Sequence, residues 1–450
     1  MFEGGRCVQL KIYHTNDIHS HLENWPKIER FLQEKKATDD KALFFDIGDF
    51  IDRVHPLTEA TAGQANTSLL NHIPYDAVTI GNNEGTTLSK EQLQHLYDDY
   101  TGDVLCANIQ NTMSPFKDFV IYERDNEKIA VIALTVIFSQ FYDLLDWETE
   151  EPIAALERVL ASLPEDVSTI ILLSHLGLPM DEKIAERYPE ITLILGSHTH
   201  HLLEEGKFVN GVLLAACGRY GEYVGEVTLN FNSETIVSKE AIAHKVDNLV
   251  ATTKDHLQTQ LFFETGKQLL SQVVATRPHE LTHSWYEESE LSAFVNQSIC
   301  EAVEADTFLV NAGIYLTDLP RGDITRFDIH QCLPHPLNPF VLSLTGNQLI
   351  FLARKIMEQA DSLRDYPLRG YGFRGEVFGQ ILFPRITFDK KGYVLWDNTP
   401  IIRDKIYKVA TTDTFIFAPL FPVIKELDVS LKSEQFIRNI VEENLLNEKR

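Results

Sequence analysis

Five short polar segments carry the residues that could do chemistry: Asp17-Ile18-His19, Gly48-Asp49, Gly81-Asn82-Asn83-Glu84, Ser174-His175 and Gly196-Ser197-His198-Thr199-His200. Asp17, His19, Asp49, Asn82, His175, His198 and His200 together offer enough oxygen and nitrogen donors for two divalent metal ions. Carboxylate and neutral imidazole suit Mn, Zn, Fe or Co, and a shared carboxylate can bridge two ions. Two ions about 3.5–4 Å apart hold a hydroxide between them and clamp a phosphate. The hydroxide is a nucleophile at neutral pH because the cations lower the pKa of water, and the same cations offset charge on a phosphoryl group during in-line attack. Each segment alone is weak, because DxH and GD arise by chance. His14, His21 and His201 are accordingly read as ordinary core or surface residues. The signal lies in the series, since every segment directly follows an apolar run. Asp52, Arg53 and His55, just after Gly48-Asp49, are read as groups supporting the same site.

Those apolar runs read as strands. Residues 8–13 alternate apolar and polar, 42–47 form a buried run ending in Gly48-Asp49, and 77–80 lead into Gly81. Further strands are expected at 129–135, 169–174, 191–195 and 212–217. Between them lie helix signals. Asn24 and Pro26 start a helix with Ile28, Phe31 and Leu32 on one face, and another runs through Ser68, Leu69 and Leu70. Ser89 and Gln92 form a capping box, and Pro152 opens a helix with Ile153, Leu156, Val159 and Leu160 aligned. Alternating strands and helices imply a layered α/β domain in which polar strand ends converge on one rim. After Phe231 the texture changes. Leu249, Leu257 and Leu261 suggest a connecting helix, and Ser289 begins a helix with Leu291, Phe294, Val295, Ile299, Ala302 and Val303 on one side. The expected division is a first domain over 1–248, a linker helix over 249–265 and a second domain over 266–450.

A chain of 450 residues has room for two or three such domains. Its formal charge of −26 argues against nucleic acid or an anionic membrane as partner, because both would repel it. A small phosphorylated substrate is not excluded, since bound cations dominate their local field. Cys7, Cys106, Cys217, Cys300 and Cys332 are scattered, without a CxxC pair, and read as reduced thiols. Neither a signal peptide nor a run long enough to span a membrane is evident, so a cytoplasmic protein is expected.

The segments resemble, in order, the motifs of the metallophosphoesterases of the 5′-nucleotidase and UDP-sugar hydrolase family. His14-Thr15-Asn16-Asp17-Ile18-His19-Ser20-His21-Leu22 is close to that family's opening motif, and Gly48-Asp49, Gly81-Asn82, Ser174-His175-Leu176-Gly177 and Gly196-Ser197-His198-Thr199-His200 follow in its order. The likeness extends to Asn311, to Arg321-Gly322-Asp323-Ile324-Thr325 and to Tyr407-Lys408-Val409-Ala410-Thr411. It implies a four-layer α/β/β/α metallophosphoesterase domain followed by a smaller α/β domain that chooses the substrate. It also implies roles: Asp17, His19 and His200 on the first metal, Asn82, His175 and His198 on the second, and Asp49 bridging. The activity implied is hydrolysis of a nucleotide or nucleotide-like phosphate ester or anhydride, in nucleotide catabolism.

Two departures matter. The family's third motif reads GNHE, with an Asp three residues beyond its His. Here those two positions are Asn83 and Thr86, so the implied catalytic position holds an amide that cannot serve as a proton donor near pH 7. In the second domain the family's substrate Arg falls on Leu316, its stacking Phe on His335 and its neighbouring Asn on Leu337, while Phe415 lies one place from its second stacking aromatic. Arg369-Gly370-Tyr371-Gly372-Phe373-Arg374-Gly375 reads equally well as a grip on an anionic planar ligand or as a solvated loop. His335, Arg369, Phe373, Arg374 and Phe415 are therefore the substrate-binding candidates. Three functions stay open: a phosphohydrolase favouring anhydrides, a phosphodiesterase, and a metal-dependent nucleotide-binding or sensing protein with weak chemistry.

Overall fold

The computed structural model describes residues 7–110, 116–125, 127–232, 235–368 and 370–448. The chain divides into two compact units, Met1–Gly266 and Lys267–Arg450, and the helix Thr253–Leu269 runs across the change-over.

The first unit is built on two six-stranded sheets. In one, Cys7–Thr15, Leu43–Asp46, Ala77–Thr79 and Asp103–Leu105 run parallel, with Tyr223–Asn232 and Thr235–Lys245 added antiparallel at the edge. In the other, Glu127–Thr135, Thr169–His175, Leu193–Gly196 and Val212–Ala215 run parallel between two antiparallel edge strands.

The unbroken apolar runs follow from this arrangement. Side chains alternate across a strand, so a strand covered on both faces must be apolar at every position. Leu43 and Phe45 enter the core between the sheets, where Ile171, Leu173, Leu193 and Leu195 meet them from the other sheet. Phe44 points the opposite way, onto Trp25, Ile28 and Leu32 of the helix Trp25–Thr38. Leu172 and Ile194 likewise face Leu156, Val159 and Ile184 on the helices Pro152–Ser162 and Leu178–Arg187. The layers are thus helix, sheet, sheet, helix. Burial of each such side chain contributes about 1.5–3 kcal/mol.

Local signals agree with these elements. Pro152 lies in the first turn of its helix, and Ser89 accepts from the Gln92 backbone N–H as a capping box demands. The helix around Ser68 runs Gln64–Leu70, preceded by a short helix, Pro56–Thr61, that sequence periodicity does not reveal.

In the second unit, Pro339–Thr345 lies between Ile406–Thr412 and Val429–Leu431, and Ser289 caps the helix Glu290–Ala302. Among the described residues no helix is long and apolar enough to cross a membrane.

Candidate metal centre

Parallel strands end on one side of a sheet, and here their ends carry the polar segments. The backbone turns sharply at three of them. Asp17, His19, Asp49, His198 and His200 all have positive φ, between 50° and 71°. For residues with a Cβ this costs roughly 1–2 kcal/mol apiece, so the surrounding structure must impose it. Glu84 does much of that. Its buried carboxylate accepts backbone N–H bonds from Gly81 (2.8 Å), Asp49 (3.0 Å) and Ile51 (3.1 Å), tying the second and third segments together. Gly81 fits because there is no room for more: a Cβ there would lie 2.1 Å from Asp49 Oδ1.

The donor atoms converge in two overlapping groups, Asp17 with His19 and His200, and Asp17 with Asp49 and His175. His19 Nε2 lies 3.1 Å from His200 Nε2 and 3.7 Å from Asp17 Oδ1. Asp49 Oδ2 stands between the sets, 3.6 Å from His19 Nε2 and 3.4 Å from His175 Nε2. On the far side, His198 Nδ1 and Asn82 Oδ1 approach to 2.8 Å. Supporting bonds aim each ring. His175 Nδ1–H donates to the Ile47 carbonyl at 2.8 Å, which turns Nε2 toward Asp49. That atom is buried and makes no hydrogen bond. His19 Nδ1 meets the Asn83 amide at 2.9 Å and Asp52 Oδ2 at 3.5 Å, so its Nε2 faces the carboxylates. An orphaned imidazole nitrogen, two carboxylates and converging ring nitrogens fit divalent metal ions.

The charges agree. Burial opposes the charged form of His19, yet Asp17, Asp52 and Asp49 hold it well above the usual imidazole range. Burial also opposes charge on His175, but Asp49 and Asp17 carry it up to about 9. His198 goes the other way, pushed down to about 4 by burial and by the His175 charge. Metal ions bind neutral imidazole, so cations and protons compete for these histidines.

The seven ligand candidates are thus together on one rim of the first unit. Asn83 lies among them, 6 % exposed, with its backbone N–H on Asp49 Oδ1 (2.7 Å) and its side-chain amide also on the Ile51 carbonyl (3.0 Å). Thr86 bonds back to the Asn82 carbonyl at 2.7 Å, an ordinary helical habit of threonine. Of the supporting groups, Asp52 reaches His19, whereas Arg53 pairs with Glu59 and His55 caps the helix Pro56–Thr61. His14 is a core residue, 1 % exposed.

The second-unit candidates are placed as follows. His335 is buried, with Nε2 on the Ile314 carbonyl (2.9 Å), Nδ1 accepting from the Arg374 N–H (2.8 Å), and its ring stacked on Phe373 at 5.3 Å. Phe373 and Phe415 join Phe378 and Phe421 in a buried aromatic run. Their ring faces are covered by other side chains of the same unit, so they are core groups and not open platforms for a base. Arg374 is half-buried, and Arg369 lies outside the described residues. Glu84, Asn16 and Arg219 went unassigned in the sequence. Asn16 bridges Asp17 Oδ2 and the Gly218 carbonyl, and no local pattern announces such long-range bonds.

Residues 10–202 match the calcineurin-like phosphoesterase model, and residues 271–418 match the 5′-nucleotidase C-terminal domain model. The uncharacterized metallophosphoesterase YunD of Bacillus subtilis is 36% identical over 93% of this chain and 95% of its own length. A putative 5′-nucleotidase from Staphylococcus aureus, solved with alpha-ketoglutarate, shares the fold with a TM-score of 0.71 at 15% identity, covering 98% of this chain and 97% of the other. The Haemophilus influenzae NAD nucleotidase superposes with a TM-score of 0.66 at 18% identity, over 98% and 97%. The chain belongs to the metallophosphoesterase family, in the form that joins a calcineurin-like phosphoesterase domain to a 5′-nucleotidase C-terminal domain.

Proposed function

We propose that this metal-dependent phosphohydrolase prefers phosphoanhydride bonds of nucleotide-like substrates to simple nucleoside monophosphates. The observation that carries the reading is the state of Asn83. Its amide nitrogen abuts His19 Nδ1 and donates to the Ile51 carbonyl, its backbone N–H is spent on Asp49, and Thr86 is turned into its own helix. Neither can hand a proton to a leaving group. A phosphate leaving group, with a second pKa near 6, departs as an anion without help, whereas a ribose alkoxide needs a proton. A general acid contributes about 10²–10⁴-fold, so its lack penalises esters far more than anhydrides.

In this reading Asp17, His19 and His200 would hold one cation, Asn82, His175 and His198 would hold a second, and Asp49 would serve both. Mn, Zn, Fe or Co suits these donors. Bound there, the cations supply Lewis acidity and lower the pKa of water. The chain's part is to aim the donors. Ile47 orients His175, Asp52 and Asn83 orient His19, and Glu84 fixes the loop that carries Asp49. The 5′-nucleotidase C-terminal match supports a nucleotide-like substrate and a place in nucleotide breakdown. The unpaired thiols of Cys106, Cys217, Cys300 and Cys332 fit a reducing compartment such as the cytoplasm.

The test is phosphate release from paired anhydrides and monoesters by Mn-reconstituted protein, alongside the Asn83→His/Thr86→Asp double variant. Wild type should cleave anhydrides, and the variant should gain on monoesters selectively. Faster cleavage of AMP than of every anhydride by wild type sinks the proposal. Tight nucleotide binding without turnover would make the chain a sensor instead.

A further inference from the structure

The turn formed by residues 218–221 belongs to no ligand segment, yet it is fastened to two of them. Gly218 N–H donates to the His201 carbonyl at 3.0 Å, Tyr220 N–H to the Asp17 carbonyl at 2.7 Å, and Asn16 Nδ2 to the Gly218 carbonyl at 2.8 Å. Gly218, Tyr220 and Gly221 all have positive φ, and at Tyr220 (61°) this is a genuine strain for a bulky residue. Such strain persists only where surrounding bonds over-determine it, and it clusters at functional sites. The result is a tyrosine ring set among three histidines, with centroids 3.9 Å from His21, 5.8 Å from His19 and 6.3 Å from His200.

Arg219 lies on that ring. Its guanidinium carbon is 4.5 Å from the Tyr220 centroid, and one Nη1 comes within 3.4 Å of His200 Nδ1, a weak contact. Among the described residues it has no carboxylate within 4 Å. The other five described arginines of the first unit each have one: Arg30 with Asp255, Arg53 with Glu59, Arg124 with Asp76, Arg158 with Asp118 and Arg187 with Glu157. In a chain of net charge −26, an arginine held half-buried beside the metal rim without a counter-ion is set apart. Stacking fixes the plane of the guanidinium and leaves its N–H edge for an anion, and the planar fork matches phosphate geometry.

We infer that Arg219 is an anion-binding residue of this site, donating N–H bonds to a non-bridging oxygen of the substrate phosphoryl group beside the first metal. The inference rests on the reading of the rim as a phosphoryl site. It supplies a fixed positive charge to a centre whose third motif offers only an amide, and positive charge aimed at developing phosphoryl charge is a large catalytic term.

The test is calorimetric titration of inorganic phosphate into Mn-loaded wild type, Arg219→Lys and Arg219→Met, with manganese stoichiometry and thermal melting measured on each. The methionine variant should bind phosphate about 10–100-fold more weakly, as expected for a lost charge-assisted hydrogen bond. The lysine variant should lose less, and all three should hold the same manganese. Equal phosphate affinity in wild type and methionine variant overturns the role of Arg219 alone. Loss of manganese or folding in both variants overturns it too, by making the residue structural. Manganese-loaded wild type that binds no phosphate overturns both this role and the phosphoryl-site reading.

Discussion

Replacing Glu84 should damage the metal centre without removing a single ligand. The carboxylate is fully buried and receives three backbone N–H groups, with Oε2 accepting from Gly81 and Asp49 and Oε1 from Ile51. Burial and the Asp49 charge raise its pKa, while the amides from Ile51 and Gly81 oppose that rise. Three N–H donors favour the ionised form, whose oxygens only accept. Glu84→Gln keeps the shape but can satisfy one side alone. With its oxygen on Gly81 and Asp49, its amide must face the Ile51 N–H, donor against donor. One unmade buried hydrogen bond costs about 1–3 kcal/mol. Glu84→Ala strands all three donors and should cost about 3–5 kcal/mol, given that such losses are not additive. Urea denaturation of the apo protein reads the stability, and calorimetric titration of manganese reads the site. Affinity should fall in both variants because the Asp49 and Asn83 loops are no longer tied. A glutamine variant as stable as wild type, with unchanged manganese affinity, would refute the reasoning and show that Glu84 is protonated and needs fewer donors.

Gly81→Ala should lower manganese affinity by about tenfold or more, since its Cβ would lie 2.1 Å from Asp49 Oδ1 and 2.5 Å from His175 Cε1 and must push ligands apart. The same titration checks it. His335→Ala should destabilise the chain by about 2–4 kcal/mol through loss of the Phe373 stack and two hydrogen bonds. Its KM should stay near wild type, and a large KM change with unaltered stability would return His335 to the substrate site. Asp413 gives a pH signature. Burial raises its pKa from 3.8 to about 8, against a backbone N–H from Asn338. The folded chain therefore keeps this proton after the unfolded chain has lost it. The contribution of Asp413 to stability should be fully present below about pH 4, fall by on the order of 5 kcal/mol by about pH 8, and level off above. Asp413→Asn should flatten that slope in urea titrations run from pH 5 to 8.

The candidate metal ligands could be picked out because each lies at or just beyond the end of a strand, so a local pattern of apolar run and polar stop finds it. The layering was legible for the same reason, since strands such as Leu43–Asp46 and Thr169–His175 are apolar at positions facing both cores. What escaped the sequence depends on segments far apart meeting. Glu84 reaches Asp49 and Ile51 across more than thirty residues, and Arg219 owes its position to bonds with Asp17 and His201. The burial of the second-unit candidates has the same cause. His335, Phe373 and Phe415 are polarisable or aromatic and fall near family substrate positions, but their faces are closed by Phe378 and Phe421, which local spacing cannot foresee.

The most direct measurement is metal stoichiometry, by elemental analysis and manganese titration, on wild type and Asp49→Asn. Asp49 Oδ2 lies between the His19 and His175 sets, so its loss should affect both ions. Wild type should hold two ions per chain, and the variant at most one, bound more weakly. One ion or none in wild type, or two at unchanged affinity in the variant, would contradict a dinuclear centre bridged at Asp49.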